Sequence, residues 1–318
     1  MLLIRGLHNL RAEHRDCVAT IGNFDGVHLG HQAVLAALKS RARAAGLPSL
    51  VIVFEPQPLE FFRPEQAPAR LTRLREKLEA IAACGIDRVL LIRFDARFAA
   101  IEPQAFVREV LIDGLGIRHL YVGDDFRFGR QRQGDFAMLA RMGAEHGFGV
   151  ESLATVADDG ERISSTRIRE ALEQGDLDHA ARCLGRRYRI AGRVAHGNKR
   201  GRTIGFPTMN VGLLRRSTPL RGVYAVQVHC LEMRPLLGVA NLGNRPTLAG
   251  DDRFLLEVHL LDWAGDAYGR HVEVDFVARI RDERRFESFD ALREQIQRDV
   301  REARAMHGLD AVVHGASH

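Results

Sequence analysis

The sequence predicts an α/β protein of two domains, a parallel-sheet domain over residues 1–185 and an antiparallel β-barrel with a terminal helix over residues 186–318. Strand-like apolar segments alternate with helical segments in the first half, which is the order typical of a parallel sheet. After Leu184 the chain changes to a series of short β-like segments, and this pattern favours a small barrel. One amphipathic segment near the carboxyl terminus predicts a closing helix.

The first half contains strand-like segments with helical segments between them. We predict strands at 17–21, 50–54, 89–92, 120–122 and 150–154. We predict helices at 31–45, 72–84, 103–114, 135–146 and 164–174, the last beginning with Ser-Ser-Thr, as capped helices do. Because the carboxyl ends of parallel strands meet at one edge of a sheet, the turns that follow these strands predict where a ligand binds.

Residues 20–31 carry the most specific of these turns. An apolar strand runs into glycines at positions 22, 26 and 30, and the segment ends in His28 and His31 where a helix begins. Free amides at a helix start attract anions, and glycines let the backbone approach a ligand closely. Both histidines can donate hydrogen bonds to triphosphate oxygens, so the segment indicates a nucleotide-phosphate site. Zinc is the alternative ligand, although only Asp25 offers a nearby third donor.

Two further segments fit a nucleotide site in the first half. Residues 123–129 follow the strand at 120–122, which puts Asp125 at the same sheet edge as the histidines. Asp125 can contact a nucleotide or orient a metal, and an ordinary acidic turn is the alternative. Residues 163–169 combine a hydroxyl-rich helix start with two arginines, which can hold pyrophosphate. A capped helix with solvated arginines is the alternative there.

The second half has the pattern of a barrel closed by a helix. We predict strands at 188–195, 223–228, 236–240, 254–261 and 272–280. We predict a helix at 290–306, and we expect its stripe of Leu292, Ile296 and Val300 to pack on the barrel.

A glycine-rich segment at 192–210 contains Gly197, Gly201 and Gly205 and ends in Phe-Pro-Thr-Met-Asn. A flap of this kind can wrap phosphates with its amides, although it lacks the Gly-Lys-Ser/Thr ending of a P-loop. Thr208 and Asn210 lie on the same side of an extended segment and can offer two oxygens to Mg²⁺. A glycine-rich barrel hairpin with a proline corner is the alternative.

Glu257 stands inside the apolar segment 254–260, where an unpaired carboxylate is costly. A buried or half-buried glutamate is a reasonable general base. A glutamate that faces outward on an edge strand is the alternative, and alternation alone leaves both open.

The composition limits the functions that the chain can have. Its 318 residues are 46% hydrophobic and 27% charged, as in ordinary globular proteins, and a net charge of +5 suits polyanions such as ATP. The basic residues form no run interleaved with aromatics, so we expect no nucleic-acid partner. Four widely spaced cysteines favour a reducing cytoplasm, and no apolar stretch is long enough for a membrane span, so we expect no membrane partner.

Nearly the whole chain resembles the bacterial bifunctional riboflavin kinases and FMN adenylyltransferases, also called FAD synthetases. TIGNFDGVHLGHQ at 20–32, VGDDFRFG at 122–129 and ISSTRIRE at 163–170 are similar to the adenylyltransferase half of that family. GNKRGRTIGFPTMN at 197–210, GVANLGNRPT at 238–247, LEVHLLD at 256–262 and IRDERRF at 280–286 are similar to the kinase half.

The resemblance implies two successive reactions on small molecules. A riboflavin kinase domain at 186–318 converts riboflavin and MgATP to FMN and ADP. A Rossmann-like nucleotidyltransferase domain at 1–185 converts FMN and a second ATP to FAD and pyrophosphate. The implied partners are therefore riboflavin, FMN, FAD and ATP, with Mg²⁺ as the cofactor, and the sequence does not predict the oligomeric state.

The resemblance also implies the residues of the two sites. The implied catalytic residues are Glu257, as the base that accepts the proton of the riboflavin hydroxyl, and His28, His31 and Arg169, which stabilise the transition state of adenylyl transfer. The implied ATP-binding residues of the adenylyltransferase are Gly22, Asn23, Phe24, Asp25, Gly30, Asp125, Ser165, Thr166 and Arg167. Those of the kinase are Gly197, Gly201, Gly205, Thr208 and Asn210, and Thr208 and Asn210 also hold the metal.

Two positions depart from the pattern of the family. Gln57 stands in FEPQP where histidine is usual, so a hydrogen-bond donor remains and a charge is lost. Met209 stands in PTMN where alanine is usual, and we expect its side chain to point away from Thr208 and Asn210.

Overall fold

The computed structural model describes residues 1–123, 125–153, 156–195, 205–213, 215, 217–245 and 253–308. The chain divides into two compact units, and each is described by itself. The first unit contains Met1–Pro68 and Thr72–Ser164, and the second contains Ala69–Leu71 and Ser165–His318. The compact division thus falls before residue 165, whereas we expect the two activities to divide after residue 185.

In the described part of the first unit, six strands form a parallel sheet in the order β1-β4-β3-β2-β5-β6. The strands are β1 Leu2–Arg5, β2 Val18–Ile21, β3 Ser49–Glu55, β4 Arg88–Arg93, β5 His119–Val122 and β6 Gly149–Ser152. The last five confirm predicted strands, with bounds shifted by one or two residues at most ends. β1 was not predicted because it is a four-residue strand that pairs only with β4.

Helices cover both faces of this sheet. They are α1 Leu29–Ala45, α2 Pro58–Phe62, α3 Leu74–Ala83, α4 Ala96–Ala99, α5 Pro103–Ala105 with a π-helical continuation over Phe106–Gly114, and α6 Phe136–His146. A two-stranded ribbon, β7 Ala157–Asp158 and β8 Glu161–Arg162, follows them. Successive residues of β3 enter opposite core clusters, Ile52 in one and Val51 in the other. Burial on both faces explains why β3 is an unbroken apolar run.

The central strands bring two predicted site segments to one edge. β2 pairs with β5 in parallel, with Thr20 opposite Tyr121, and β2 also pairs with β3. The turn after β2 and the turn after β5 therefore begin at neighbouring strand ends. The crevice at such strand ends is where open parallel sheets bind ligands.

In the described part of the second unit, six antiparallel strands close into a barrel in the order β10-β13-β12-β11-β14-β9. They are β9 Arg189–Ala195, β10 Met209–Gly212, β11 Gly222–His229, β12 Leu236–Arg245, β13 Arg253–Leu260 and β14 His271–Arg281. The barrel confirms the predicted fold class. β10 was missing from the predicted strands, and β12 runs five residues beyond the predicted end because Asn241–Arg245 pair with β13 despite their turn-like composition.

Three helices complete the described part of the second unit: α7 Ser165–Gln174, α8 Leu177–Leu184 and α9 Phe289–Met306. The expected packing of the α9 stripe on the barrel is confirmed for Val300, which packs against the buried cluster of Val223, Ala225, Val239 and Ala303. The residues buried in α9 are Gln295, Asp299 and Ala303, whereas Leu292, Ile296 and Val300 are only partly buried. Arg281 of β14 donates to both carboxylate oxygens of Asp299, at 2.9 and 2.7 Å, and this polar contact joins the helix to the barrel.

No helix among the described residues combines the length and the apolar character that crossing a membrane requires. All four cysteines are free thiols.

Candidate functional site

The backbone after β2 forms a strained turn, and we call residues 22–31 the histidine turn. Phe24, Gly26 and Val27 have φ values of 48°, 83° and 44°, in the left-handed region. Such a conformation is costly for Val27, because its side chain is branched at Cβ. Strained backbone of this kind persists only where neighbouring groups enforce it, and it concentrates at functional sites.

Thr72 is the residue that fixes the turn. Its hydroxyl accepts a hydrogen bond from the N–H of Gly26 at 2.9 Å, and its own N–H donates to Oδ1 of Asp25 at 2.9 Å. Asp25 is only 2% exposed. Asp25 thus acts on the shape of the turn, and its carboxylate bonds to Thr72 rather than pointing into solvent. Thr72 was not predicted because it lies far from the turn in sequence.

His28 and His31 lie face to face at the start of α1. His28 is the N-cap, and its Nδ1 accepts a hydrogen bond from the N–H of His31 at 3.3 Å. The ring centroids are 3.6 Å apart, with 17° between the planes. Since Nδ1 of His28 is an acceptor, the neutral ring carries its proton on Nε2 and can donate it to a ligand.

The stacked rings argue against the zinc alternative. Ring nitrogens direct their lone pairs within the ring plane, so two nearly parallel rings do not direct them toward a common ion. Nδ1 of His28 is also occupied by the backbone of α1. The arrangement suits two N–H donors that point at an anion beside a helix N-terminus.

Gly30 is needed because the ring of His28 lies over it. A Cβ at residue 30 would lie 3.1 Å from Cε1 and Nδ1 of His28. Phe24 supports the other ring, since its centroid is 5.0 Å from that of His31 and its side chain is buried. Gly22 donates its N–H to the carbonyl oxygen of Ile52, so that amide belongs to the sheet, while Asn23 is exposed.

His31 is held in its neutral form. Burial lowers its pKa well below the usual value, and the electrostatic interactions with His28 and Lys77 lower it further. Nδ1 of His31 is buried and has no hydrogen-bond partner among the described residues. A neutral imidazole with a free polar atom is suited to accept or donate one hydrogen bond to a ligand.

Lys77 is a buried neighbour of the histidine turn that the sequence analysis did not single out. It lies on α3 one turn before Ile81, and its side chain is fully buried. A fully buried lysine is rare in proteins. The sequence signal was available, because this lysine occupies an apolar position of the stripe in LREKLEAIAA.

Gln57 places a polar atom at the end of β3. It is the N-cap of α2, it is 8% exposed, and its Nε2 is buried without a hydrogen-bond partner among the described residues. β3 pairs with β2, so the amide of Gln57 belongs to the same sheet edge as the histidine turn. Histidine at this position would offer a donor of similar reach.

An aromatic ledge follows Gln57 and consists of Phe61, Phe62 and Phe94. Their ring centroids lie 5.2 to 5.6 Å apart. Phe61 and Phe62 are 36% and 58% exposed, which is unusual for large apolar side chains. The ledge continues inward through Phe98 to Phe54. An exposed aromatic surface beside a polar crevice suits a flat ring system.

The other predicted residues of the first site divide between the two units. Asp125 follows β5, is exposed, and lies 3.7 Å from an Arg162 nitrogen. Ser165, Thr166, Arg167 and Arg169 lie on α7 of the second unit. Arg169 donates from Nε to the carbonyl oxygen of Ala69 at 2.5 Å. That Arg169 acts together with His28 and His31 stays a prediction.

Three polar side chains of the second unit stand side by side across adjacent strands, and we call Asn210, Glu257 and Asn241 the polar row. Glu257 on β13 is directly opposite Asn210 on β10 and directly opposite Asn241 on β12. Oδ1 of Asn210 and Oδ1 of Asn241 are both buried without a hydrogen-bond partner among the described residues. Asn241 was not predicted as a site residue.

Glu257 lies on the outer face of the barrel. Its neighbours Leu256 and Val258 are fully buried on the inner face, while Glu257 is half-buried. The outward orientation was the alternative prediction, but β13 is an interior strand of a closed barrel and not an edge strand. Met209 is opposite Val258 on the inner face, as expected, and so points away from Asn210.

A cavity of 450 Å³ lies beside Thr208. Its lining includes Gly205, Pro207, Leu260, Trp263 and Tyr268. Thr208 is exposed, and Gly205 has a φ of 85° that favours glycine. The cavity combines aromatic walls with a hydroxyl at its border, which suits a flat heterocycle that carries phosphates. The predicted Gly197 and Gly201 lie outside the described residues.

Two family models match consecutive parts of the chain. A model described as FAD synthetase matches residues 10–167, and a model described as riboflavin kinase matches residues 184–307. Their order is the order in which the histidine turn and the polar row occur.

Whole-length relatives show the same pairing of domains. The bifunctional riboflavin kinase/FMN adenylyltransferase of Escherichia coli strain K12 is 54% identical over 310 residues, which are 97% of this chain and 99% of that protein. The protein of the same name from Pseudomonas fluorescens is 55% identical over 306 residues, 96% of this chain and 98% of its own length. A crystal structure described as a macrolide-efflux protein from Streptococcus pneumoniae has a TM-score of 0.80 and 30% identity, and the match covers 96% of this chain and 99% of that one.

Proposed function

This chain belongs to the family of bifunctional riboflavin kinases and FMN adenylyltransferases. We propose that its kinase reaction takes place at the polar row and its adenylyl transfer at the histidine turn. The chain phosphorylates riboflavin to FMN with ATP and then adenylylates FMN to FAD, releasing pyrophosphate. We assign phosphorylation to residues 186–318 and adenylylation to residues 1–185. The boundary is supported by Gly185, which ends α8 in a left-handed conformation immediately before the barrel.

The observation that carries the kinase assignment is the register that sets Glu257 opposite Asn210. In our proposal Glu257 accepts the proton of the riboflavin 5′-hydroxyl while that oxygen attacks the γ-phosphorus of ATP. The bond from the γ-phosphorus to the bridging oxygen breaks, and ADP leaves. Because little covalent chemistry is required of the protein, positioning and charge supply most of the rate.

Thr208 and Asn210 fit a magnesium ion. Mg²⁺ prefers oxygen ligands, and Oδ1 of Asn210 is a buried oxygen without a hydrogen-bond partner among the described residues. The hydroxyl of Thr208 lies two residues away, on the same side of the extended segment. When bound, Mg²⁺ neutralises the charge of the ATP phosphates. Neutral ligands suit this site, since the phosphates provide the negative charge.

In our proposal the adenine ring of ATP binds in the cavity beside Thr208. Trp263 and Tyr268 give it aromatic walls, and Thr208 lies at its border.

In the second reaction we propose that a phosphate oxygen of FMN attacks the α-phosphorus of ATP and that pyrophosphate leaves. No covalent enzyme intermediate is required. Nε2 of His28 and the free amides of α1 donate to the phosphate oxygens, and Arg169 adds a positive charge. His31 remains neutral, so it acts as a hydrogen-bonding group beside the buried Lys77.

The aromatic ledge and Gln57 suggest how this site receives FMN. Phe61 and Phe62 expose ring surface on which an isoalloxazine can stack. The amide of Gln57 has a buried donor that can reach a phosphate or a ring oxygen. We also propose a cytoplasmic location, which the free state of the four cysteines supports.

Chromatography of flavins tests the function directly. Purified protein is incubated with riboflavin, ATP and Mg²⁺, and we expect FMN to form first and FAD to follow. Removal of the divalent cation by chelation should stop the formation of FMN. Riboflavin that stays unchanged with ATP and Mg²⁺ present would contradict the assignment, and FMN formation that continues after chelation would contradict the metal.

A further inference from the structure

Asn241 occupies the side of Glu257 that is remote from the proposed metal ligands. Asn210 and Asn241 lie one strand to either side of Glu257. Neighbouring strands are about 4.8 Å apart, so the two asparagines are separated by roughly 10 Å. The ligand oxygens of one magnesium ion span only about 4 Å. Asn241 is therefore too far from Asn210 to bind the same magnesium ion, and it faces a different part of the bound substrates.

Glu283 fixes the orientation of the Asn241 amide. Nδ2 of Asn241 donates a hydrogen bond to Oε1 of Glu283 at 3.3 Å. An ionised carboxylate only accepts hydrogen bonds, so the nitrogen of the amide must face Glu283 and its oxygen must face away. That oxygen is buried and has no hydrogen-bond partner among the described residues.

Gly243 leaves the space that the carboxylate of Glu283 occupies. A Cβ at residue 243 would overlap the carboxylate oxygens of Glu283. Gly243 lies two residues after Asn241 on β12, on the same face of the strand. Its backbone is outside the left-handed region, so glycine is needed here for space and not for conformation.

Oδ1 of Asn241 is thus a buried acceptor that lacks a donor among the described residues. A buried acceptor without a partner is unfavourable, and a ligand that brings a hydroxyl group removes the deficit. The substrate of the kinase carries several hydroxyl groups on its ribityl chain, next to the hydroxyl that reacts at Glu257. A second cation is a poorer match, because Asn241 offers a single neutral oxygen.

We propose that Oδ1 of Asn241 accepts a hydrogen bond from a secondary hydroxyl of the ribityl chain of riboflavin, and that Glu283 and Gly243 hold the amide in the orientation this requires. Asn241 is then a residue that selects the polyol side chain of the acceptor. The inference rests on the proposed role of Glu257, which places the end of that chain at the polar row.

The test compares two acceptors on the full-length protein. One is riboflavin, and the other is an isoalloxazine whose ribityl chain is replaced by an unbranched ω-hydroxypentyl chain, which keeps the reactive hydroxyl and lacks the secondary ones. Asn241→Leu should lower kcat/KM for riboflavin by about ten-fold, the size of one neutral hydrogen bond. The same variant should leave kcat/KM for the hydroxypentyl compound within about two-fold.

Three further variants test whether Gly243 and Glu283 hold the amide of Asn241 in place. Gly243→Ala displaces the carboxylate of Glu283 and should give the same selective loss for riboflavin. Glu283→Ala should do likewise, whereas Glu283→Gln, whose amide oxygen can still accept from Asn241, should retain more of the preference for riboflavin. Turnover of the hydroxypentyl compound shows in each case that the barrel is folded.

Three outcomes would overturn the inference: an equal loss for both acceptors in Asn241→Leu, no loss for riboflavin, or a wild-type enzyme that shows no preference for riboflavin. Each can occur while Glu257→Gln still abolishes the kinase, so failure of this inference is distinguishable from failure of the proposed function. If Glu257→Gln kept full kinase activity, the proposed function itself would be wrong.

Discussion

The histidine turn is built from strained backbone, whereas the polar row is built from regular strand register. In the turn, the left-handed Val27 and the space over Gly30 bring two rings to a helix start. In the row, Asn210, Glu257 and Asn241 are neighbours only because their strands pair in register. The first kind of site depends on local geometry that many small changes can disturb. The second depends on a few side chains in a rigid frame.

The two sites also handle charge differently. The turn buries a neutral His31 together with the amine of Lys77. The row carries a half-buried carboxylate between two amides. We therefore expect substitutions to separate the two reactions and pH to act mainly on the turn.

The largest effect should come from the carboxylate of the row. Glu257→Gln removes the general base, and such losses are about 10² to 10⁴-fold in rate. Conversion of riboflavin to FMN, followed by chromatography, should fall by this factor. Conversion of supplied FMN to FAD should not change, and a parallel loss of both reactions in a folded protein would contradict the comparison.

The next effect should come from the turn. His28→Ala removes a donor to the phosphate oxygens, and loss of one such donor costs about 10² to 10³-fold. FAD formation should fall while FMN accumulates from riboflavin. The His28→Ala substitution also removes the N-cap of α1, which costs about 1 kcal/mol of stability. This loss should lower the midpoint of thermal unfolding. His146→Ala, at the exposed end of α6, is the matched control and should alter neither reaction.

Adding a single methyl group should disturb the histidine turn and leave the polar row unchanged. Gly30→Ala places a Cβ 3.1 Å from the ring of His28, so the ring must shift by a few tenths of an ångström. Small misplacements of catalytic groups are costly, and we expect FAD formation to fall by about ten-fold. The rate of riboflavin phosphorylation is the control. It should remain at the wild-type value, because the substitution disturbs only the histidine turn.

The smallest effect concerns the dependence of stability on pH. Because the folded protein holds the pKa of His31 below its unfolded value, the unfolded state binds more protons as the pH falls below about 6.5. Stability from this residue is complete above that pH and is lost as the pH falls. Urea unfolding of His31→Asn should therefore show a weaker decline from about pH 7 to pH 5 than the wild type does. An unchanged decline would show that His31 does not titrate in this way.

Sequence patterns identified the elements whose signals are local. The strands around Ile21 and Val51 are apolar runs because they are buried on both faces, and His28 and Gly30 stand in a contiguous motif. Contacts between segments that are distant in sequence could not be predicted from local patterns. Thr72 holds the turn from 46 residues beyond Gly26, and Asn241 meets Glu257 only through strand pairing. The most buried positions of α9 were not predicted, because an aspartate such as Asp299 is typical of a surface position unless its contact with Arg281 is known.

Complementation between two variants tests the central claim, that one chain carries two separate ATP-dependent sites, most directly. Glu257→Gln and His28→Ala are mixed with riboflavin, ATP and Mg²⁺, and FAD is measured by chromatography. We expect neither variant alone to make appreciable FAD from riboflavin and the mixture to make it through released FMN. A mixture that accumulates FMN without FAD, while Glu257→Gln alone converts supplied FMN, would contradict independent sites that exchange a free intermediate.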